Sequence, residues 1–432
     1  MHSLQQMASD ARQAALSLAV TDIETRNAAL LRITESLYDH REEIFMANHL
    51  DLQQAEEEKL AAPMKLRLAF HDKKLSQVIR GIQELITMPD PLGMTTLSRE
   101  LANGLNLYRV TCPIGVIGVV FESRPDALVQ ISGLALKSGN AVILKGGREA
   151  LRTNTALCNA IHEAGVSAGI HPQFIQLLTS REEVADMLKQ DSLIDLIIPR
   201  GSNAFVRYIK ENSLIPVLGH ADGICHVYVD EDADTEMAMN ISMDSKMQNV
   251  SVCNAMETLL VHERIAAQFL PEMARRFNAR GVRLLGDHET VQLIHCEEAT
   301  EKDWMTEYLD ATLSIRIVPS IEEAIRHINH YGSHHTDCIV TENQVHAALF
   351  LQAVDSAGVY HNCSTRFADG YVYGFGAEVG IATGKIHARG PMGMEGLTSY
   401  KYKLLGHGQT MDQVVRGQIT YTHRELHDIC PE

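Results

Sequence analysis

Closely spaced cysteines are absent from the chain. Its eight cysteines are scattered without a CxxC pair, which fits neither a disulfide framework nor a zinc finger and favours reduced thiols. Apolar runs long enough to span a membrane are also absent, as is an N-terminal basic segment followed by an apolar one. We therefore expect a cytoplasmic protein that is neither secreted nor inserted in a membrane.

Positive charge and proline are scarce. Lys and Arg number 38 against 55 Asp and Glu, which gives a net charge of −17, and a field of that sign repels polyanions. We therefore expect no nucleic acid partner. The 12 prolines, 45% hydrophobic residues and 22% charged residues are typical of a folded globular protein, and 432 residues suffice for two or three domains.

Helices and then a hairpin are predicted at the start of the chain. Over residues 3–60 the apolar residues recur at helical spacing, and Thr21 with Glu24 matches a helix capping box. Farther on, Asn103 and Gly104 interrupt a strand-like stretch, a pair typical of the tight turn in a β-hairpin.

Two α/β segments follow the hairpin. In the first, apolar β-branched runs alternate with helical segments, which predicts βαβ units and a parallel sheet that binds ligands beyond the carboxyl ends of its strands. Its predicted strands are 114–121, 141–144, 174–178, 193–198 and 224–229. The second segment predicts another domain of this type, with strands at 256–261, 314–318 and 338–340. A last strand is indicated at 397–404.

Two local patterns resemble functional motifs but fit them poorly. Residues 165–169 have the GxSxG spacing of serine hydrolases, yet a predicted helix precedes them and a strand follows, so a glycine-rich helix end is the better interpretation. Histidines crowd residues 327–335, but His334 and His335 are adjacent and point apart, so no metal site is predicted.

Cys253 differs from the other thiols because it lies in a polar, loop-like stretch, residues 245–254, just before a predicted strand. A thiol with its ordinary pKa of about 8.5 is only a few per cent thiolate at neutral pH, so a nucleophile here needs help from loop amides or from Lys246. From the residues alone, a buried structural cysteine remains the alternative.

Ordered sequence blocks extend over nearly the whole chain. The most specific block runs from Val318 to Ile339. The supporting blocks are PIGV at 113–116, FESRPD at 121–126, SGN at 138–140, LKGG at 144–147, IPRGS at 198–202, GICH at 223–226, CNA at 253–255 and RGP at 389–391. Together they resemble the aldehyde dehydrogenase superfamily, and most closely its glutamate-5-semialdehyde dehydrogenase (γ-glutamyl phosphate reductase) branch.

The resemblance implies an α/β fold of the aldehyde dehydrogenase type. A doubly wound cofactor-binding domain is expected at 1–97 and 111–230, and an α/β catalytic domain at 231–390. A small β oligomerisation element with the tail is expected at 98–110 and 391–432, and with it a homo-oligomer.

The resemblance also assigns roles to individual residues. Cys253 becomes the catalytic nucleophile, and Lys145 matches the lysine that contacts the adenosine ribose. Gly201 and Ser202 match the start of a helix under the pyrophosphate, which is a ready anion site. Glu307 matches a glutamate on the nicotinamide ribose, although a solvated charge is the alternative.

Two positions depart from the hydrolytic members of the superfamily. Their general-base glutamate is replaced by Val217, followed by Leu218, Gly219 and His220, so no carboxylate would activate water against a thioester. The asparagine of their oxyanion hole aligns with Arg124, whose guanidinium would hold both an oxyanion and a phosphoryl group. A structural ion pair is the alternative for Arg124.

The resemblance implies NADPH-dependent reduction of L-glutamate 5-phosphate to L-glutamate 5-semialdehyde through a Cys253 thioester, in proline biosynthesis. Arg366 is the candidate partner of the substrate carboxylate, and Asn362 is a candidate to line the same pocket. A separate glutamate 5-kinase is the expected functional partner, while the residues themselves do not distinguish NADPH from NADH. The alternatives are an aldehyde oxidiser that makes a free acid, opposed by Val217, and a binding or scaffold protein that kept the fold.

Overall fold

The computed structural model describes residues 3–180, 182–220 and 222–431. Its strands are β1 Thr95–Ala102, β2 Leu105–Pro113, β3 Val116–Phe121, β4 Ala141–Lys145, β5 Ile175–Leu177, β6 Leu196–Arg200, β7 Cys225–Val229, β8 Met256–His262, β9 Arg283–Gly286, β10 Glu297–Glu298, β11 Thr312–Val318, β12 Thr336–Val340, β13 Gly358–His361, β14 Gly380–Ala382, β15 Gly390–Met392, β16 Thr398–Leu405 and β17 Arg424–Glu425. Its helices are α1 Leu4–Leu18, α2 Ile23–Asp39, α3 Arg41–Glu57, α4 Ala62–Leu68, α5 Asp72–Thr87, α6 Pro125–Lys137, α7 Leu151–Ser167, α8 Glu182–Met187, α9 Asn203–Asn212, α10 Thr235–Met247, α11 Glu263–Asn278, α12 His288–Leu293, α13 Ile321–Tyr331, α14 Gln344–Ala353 and α15 Met411–Val415.

The chain forms two compact units. Unit 1 comprises the described residues up to Leu218, then Phe375–Gly380, and those from Met392 onward. Unit 2 comprises Gly219–Gly374 and Ile381–Pro391. None of the helices in the described ranges combines the length and the apolar composition that crossing a membrane requires.

The chain opens with helices, as the spacing of its apolar residues predicts. The predicted capping box at the start of α2 is wrong, because the residue that caps the helix is Asp22. Its carboxylate accepts a hydrogen bond from the amide of Thr25 at 2.7 Å, whereas Thr21 donates its hydroxyl to the carbonyl of Ser17. The backbone of Asp22 is extended, and its side-chain carboxylate accepts a hydrogen bond from an amide of the first helical turn. This is the usual role of the residue that precedes a helix.

A parallel sheet of four strands in the order β5-β4-β3-β6 forms the centre of unit 1. Four of the five strands predicted for the first α/β segment are found here. The chain moves outward from β3 to β4 and β5 and then returns to the other side of β3, so the strand order reverses between β3 and β6. The carboxyl ends of strands on either side of such a reversal form the usual ligand-binding crevice of an open α/β sheet.

The fifth predicted strand, β7, lies in unit 2, between β8 and β12 in a seven-stranded sheet of order β10-β9-β11-β8-β7-β12-β13. All the strand pairings in this seven-stranded sheet are parallel. Assignment of β7 to the first sheet is therefore wrong. Its apolar run correctly indicates a buried strand, but periodicity along one strand carries no information about the strand beside it. The functional division of the chain into cofactor and catalytic domains stays a prediction.

The predicted hairpin is confirmed as β1 and β2, which are antiparallel and joined at Gly104, with φ of +70°. The last predicted strand is also confirmed. It is β16, and it extends the hairpin into a four-stranded sheet of order β16-β2-β1-β17. The hairpin and the C-terminal strand thus share one sheet, whereas its role in oligomerisation stays a prediction.

The GxSxG-like stretch forms the end of α7, as predicted. Ser167 donates its hydroxyl to the carbonyl of Ala164 at 2.8 Å, and Gly169 has φ of +88°, the left-handed conformation typical of helix ends. A Cβ added at Gly165 would lie 2.5 Å from Cζ of Phe174. The glycine therefore serves close packing, and the serine lies on no strand-to-helix turn.

We expect Gly165→Ala to lower the free energy of unfolding by about 1–3 kcal/mol, because the new methyl group would overlap the buried Phe174 ring. Urea denaturation followed by circular dichroism measures the change. Ser167→Ala is the matched control and should stay within about 0.5 kcal/mol of the unsubstituted protein, as most surface changes do. Equal stability of the Gly165→Ala protein would contradict this packing.

Candidate active site

Cys253 lies in a turn between α10 and β8, and its side chain is half-buried. The predicted loop before it is shorter than expected, since its first residues, Ser245 to Met247, belong to α10. The predicted strand after it is confirmed as β8, which begins at Met256. The thiol is therefore partly accessible at the amino end of a buried strand.

Gly223 lies directly against the backbone of Cys253. A Cβ at Gly223 would come within 2.2 Å of the Cys253 carbonyl oxygen and within 2.6 Å of its Cβ. Any side chain there would force the nucleophile candidate to move. The position of the thiol therefore depends on the absence of a side chain at residue 223.

A second segment fixes the turn from another direction. Thr365 donates its hydroxyl to the backbone carbonyl of Asn254 at 2.7 Å, and the side-chain Nδ2 of Asn254 donates to the carbonyl of Ala368 at 2.9 Å. The amide of Thr365 also donates to the hydroxyl of Ser245 at the end of α10. All these groups are buried, so their hydrogen bonds hold the turn with little solvent competition.

A second thiol lies beside the turn. Cys225 is fully buried, and its sulfur contacts the carbonyl oxygen of Cys253 at 3.3 Å. Burial raises the pKa of the Cys225 thiol well above its ordinary value, and the nearby Asp337 acts in the same direction. Cys225 therefore remains protonated at neutral pH and does not compete as a nucleophile.

Two imidazoles lie next to the Cys253 thiol. One ring nitrogen of His220, one of His335 and the Cys253 sulfur lie within 4.8 Å of one another. The two rings meet edge to face with their centroids 5.1 Å apart. His334, by contrast, bonds to the carbonyl of Asp355, so the two adjacent histidines point apart as predicted.

The charge of Arg366 interacts with the Cys253 thiol. Arg366 is half-buried, and its Nε donates to the side-chain oxygen of Gln248 at 2.9 Å. Burial lowers the pKa of the Arg366 guanidinium, while the negative charge of Cys253 acts in the opposite direction. Because charge interactions are mutual, Arg366 favours the thiolate form of Cys253.

Lys246 does not assist the thiol, contrary to the prediction. It is fully buried, and its Nζ donates to Glu257 at 2.5 Å. Glu257 is also fully buried, and burial raises the pKa of its carboxyl despite the ammonium beside it. This pair links α10 to β8, and the Lys246 ammonium interacts with the Glu257 carboxyl rather than with the thiol.

Three of the four residues predicted to bind the cofactor lie at the carboxyl edge of the parallel sheet in unit 1, whereas Glu307 belongs to unit 2. Lys145 is the last residue of β4 and opposes Val120 of β3. It is buried, burial lowers the pKa of its ammonium, and its Nζ donates to the carbonyl of Gly146 at 2.5 Å. Gly201 and Ser202 follow β6 on the other side of β3.

The amino end of α9 already binds an anion from the protein itself. The amide of Ser202 donates to the carboxylate of Glu122 at 2.7 Å, and a Cβ at Gly201 would lie 2.5 Å from the same oxygen. Glu122 follows β3 directly, so this contact sits at the reversal of strand order. The amide donor and the missing Cβ suit the approach of a phosphate group.

Three further predicted site residues lie in loops or at helix ends. Arg124 is exposed at the residue preceding α6 in unit 1. Glu307 is half-buried before β11, and its charge helps to raise the pKa of Glu257. Asn362 has φ of +57°, and both polar atoms of its side chain bond to the backbone of Thr341. Their binding roles stay predictions.

The chain resembles known proteins over nearly its whole length. Residues 2–312 match the model of the aldehyde dehydrogenase family. A γ-glutamyl phosphate reductase of Acetivibrio thermocellus is 55% identical over 99% of this chain and 100% of that protein, and one of Pelotomaculum thermopropionicum is 56% identical over 98% of each. The crystal structure of γ-glutamyl phosphate reductase from Thermotoga maritima is 38% identical, covers 95% of this chain and 100% of that chain, and has a TM-score of 0.93. The chain belongs to the γ-glutamyl phosphate reductase branch of the aldehyde dehydrogenase family.

The match to the family model confirms the family that the sequence blocks predict, and the match to the crystal structure confirms the predicted aldehyde dehydrogenase fold. Sequence reasoning missed three residues next to Cys253, namely Gly223, His220 and His335. The sequence does contain a signal for each of them. Gly223 and His335 lie in blocks that resemble the family, and His220 ends the stretch in which the resemblance aligns Val217 with a glutamate. Only the fold brings these distant positions together.

We expect Gly223→Ala to reduce turnover by about a hundredfold or more, because a displacement of the nucleophile by about 1 Å can have that effect. The measurement is steady-state reduction together with nicotinamide nucleotide binding, which should not change. Gly384→Ala is the control in the same unit. Neither glycine has a positive φ, and a Cβ at Gly384 would meet no atom within 4 Å, so this substitution adds the same methyl group without displacing Cys253. Full activity of the Gly223→Ala enzyme would contradict the proposed role of the close contact.

Proposed function

We propose that the chain reduces γ-glutamyl phosphate to L-glutamate 5-semialdehyde and phosphate, with NADPH as the reductant and Cys253 as the nucleophile. Its relatives of 55% and 56% identity are named γ-glutamyl phosphate reductases. The observation that carries the assignment to Cys253 is its half-buried thiol, fixed by Gly223 next to two imidazoles. Buried structural cysteines such as Cys225 lack this exposure.

The chemistry of the nucleophile follows from an acyl phosphate substrate. The Cys253 thiolate attacks the acyl carbon, the bond from that carbon to the phosphate oxygen breaks, and phosphate leaves with the electron pair. A thioester remains on Cys253. When bound, the nicotinamide supplies the hydride that reduces this thioester. The carbon–sulfur bond then breaks, which releases the aldehyde and restores the thiolate.

The thioester must survive long enough to be reduced. Val217 replaces the glutamate that acts as general base in hydrolytic relatives, so this position supplies no carboxylate to activate water. In the forward direction the acyl group is therefore reduced by hydride, and in the reverse direction it is transferred to phosphate. A free-acid product, as expected of an ordinary aldehyde oxidiser, is disfavoured by the same substitution.

Lys145, Gly201 and Ser202 are the residues that we propose to hold the cofactor, and Glu307 to bind its nicotinamide ribose. The support in unit 1 is the Ser202 amide, which binds a carboxylate and therefore suits a phosphate oxygen. The ammonium of Lys145 lies at the carboxyl end of β4, on the other side of β3 from Ser202. The preference for NADPH over NADH belongs to the proposal and is measured with both nucleotides.

Arg124, Arg366 and Asn362 are the proposed substrate contacts. Arg366 suits the substrate α-carboxylate, since its Nε bond to Gln248 orients a planar guanidinium that is able to bind a carboxylate with two parallel hydrogen bonds. Arg124 is proposed for the acyl oxygen and the phosphoryl group because it is exposed and replaces a neutral amide of the relatives.

We further propose that copies of the chain associate through the sheet that contains β16. This strand is at the sheet edge, and Tyr400, Tyr402 and Leu404 alternate along it with more than half of each side chain exposed. An exposed apolar edge of this kind favours pairing with another chain.

We also propose that a separate kinase supplies the acyl phosphate in the cytoplasm. The semialdehyde product would then be used in proline biosynthesis.

Oxidation of glutamate 5-semialdehyde by NADP⁺ should require inorganic phosphate, because the thioester has no other acceptor. Cys253→Ala should abolish this activity and leave NADPH binding unchanged, whereas Cys430→Ala, near the chain end, should retain both. Nucleotide reduction is followed by absorbance with and without phosphate, and with each nucleotide. Turnover by the Cys253→Ala enzyme would refute the assignment of the nucleophile, and free acid formed without phosphate would favour an aldehyde oxidiser.

Arg366→Gln should raise the KM for the semialdehyde by about tenfold or more, because a charge-assisted hydrogen bond contributes about 1.5–3 kcal/mol. Nucleotide affinity should not change, since the substitution removes no group proposed to contact the cofactor. Arg326→Gln, on the exposed surface of α13, is the control with the same loss of charge. An unchanged KM would rule out Arg366 as a carboxylate-binding residue.

A further inference from the structure

The proton of the Cys253 thiol needs an acceptor, and the structure offers two imidazoles. The sulfur and one nitrogen from each of His220 and His335 lie within 4.8 Å of one another. A separation of this size is closed by one bridging water or by a small rotation of either side chain when substrate binds. The decisive question is which imidazole is able to carry the charge.

His335 is unsuited to take the proton. It is almost completely buried, its Nδ1 contacts the hydroxyl of Thr336 at 3.0 Å, and its Nε2 makes no hydrogen bond within the described residues. Burial lowers the pKa of His335 well below its ordinary value, and the charge of His220 acts in the same direction. His335 therefore stays neutral and presents an uncharged ring to its neighbours.

His220 has the opposite environment. It is half-buried, and its Nδ1 lies 2.8 Å from the carbonyl oxygen of Ile381. A carbonyl oxygen only accepts hydrogen bonds, so Nδ1 must carry the hydrogen. The unprotonated nitrogen of the neutral ring is then Nε2, and this nitrogen is the basic one. The backbone contact thus selects the tautomer that a base requires.

We propose that His220 accepts the proton of the Cys253 thiol and that the two form a thiolate–imidazolium pair before substrate binds. The sulfur–hydrogen bond breaks, the proton moves to Nε2 of His220, and the electron pair stays on sulfur, so no oxidant or reductant is required. This inference rests on the proposed function, because it assigns the proton of the nucleophile named there. His220 follows Val217 by three residues, so a segment without a carboxylate supplies an imidazole.

Arg366, Cys225 and His335 also lie near the thiol, and each of them has a defined charge state near neutral pH. Arg366 also favours the thiolate, so removing His220 should leave part of the activation in place. Cys225 remains protonated and His335 neutral near neutral pH. The pH dependence of Cys253 reactivity in the neutral range is therefore expected to report mainly on His220.

The test is the pH dependence of Cys253 alkylation by iodoacetamide, followed by mass spectrometry of the peptide that contains this residue. His220→Gln keeps a side-chain N–H able to donate to the Ile381 carbonyl but removes the base. At pH 7 the His220→Gln protein should react about tenfold more slowly, with the difference lost above about pH 9.5, where the thiol ionises without help. His330→Gln, exposed at the end of α13, is the matched control and should keep the original profile.

A second variant keeps the inference testable if glutamine disturbs the fold. His220→Ala leaves space for imidazole, and imidazole added to the buffer should restore the alkylation rate at pH 7. Identical profiles for His220→Gln and the unsubstituted protein, or a shift caused by His335→Gln alone, would overturn the inference. Turnover by the Cys253→Ala enzyme would instead refute the proposed function, so the two failures are distinguishable.

Discussion

The contact between Gly223 and the backbone of Cys253 is the constraint on which the site depends. An added Cβ would lie 2.2 Å from the Cys253 carbonyl oxygen, so the turn before β8 and the segment before β7 pack together without a side chain between them. Because β7 and β8 are neighbours in one parallel sheet, their pairing fixes the position of these two segments relative to each other. Thr365 and Ala368 then fix Asn254. A rigid strand pair thereby positions the candidate nucleophile, which itself lies in a turn.

The charges around this turn are divided between the scaffold and the thiol. Lys246 and Glu257 are fully buried and bonded to each other, so their charges are compensated within the link from α10 to β8. Arg366 keeps a charge interaction with Cys253. Breaking a buried pair leaves an uncompensated charge, which is why such a pair is poorly suited to activating a nucleophile. A partly exposed cation can act on the thiol without that cost.

The sequence predicts elements better than it predicts partners. The strands β3, β4 and β8 follow from apolar β-branched runs, because burial on both faces of a parallel sheet leaves that pattern. The pattern does not reveal that β7 pairs with β8, since pairing is decided by contacts between distant segments. Lys246 is misjudged for a similar reason. Its proximity to Cys253 in the chain suggests help for the thiol, but the helix directs its side chain to Glu257.

The residues of the candidate active site show the same contrast between what the sequence reveals and what it does not. Cys253 is found from a polar stretch before a strand together with a family resemblance, whereas His220 and His335 become visible only when the fold brings them to the sulfur. The absence of a carboxylate at Val217, which the family resemblance aligns with a general-base glutamate, would suit a reductase. A carboxylate near the thioester would activate water as readily as it would deprotonate a thiol. In the proposed pair, an imidazole that has received the thiol proton would no longer be a base while the thioester exists, so one protonation event would both activate the nucleophile and protect its acyl adduct.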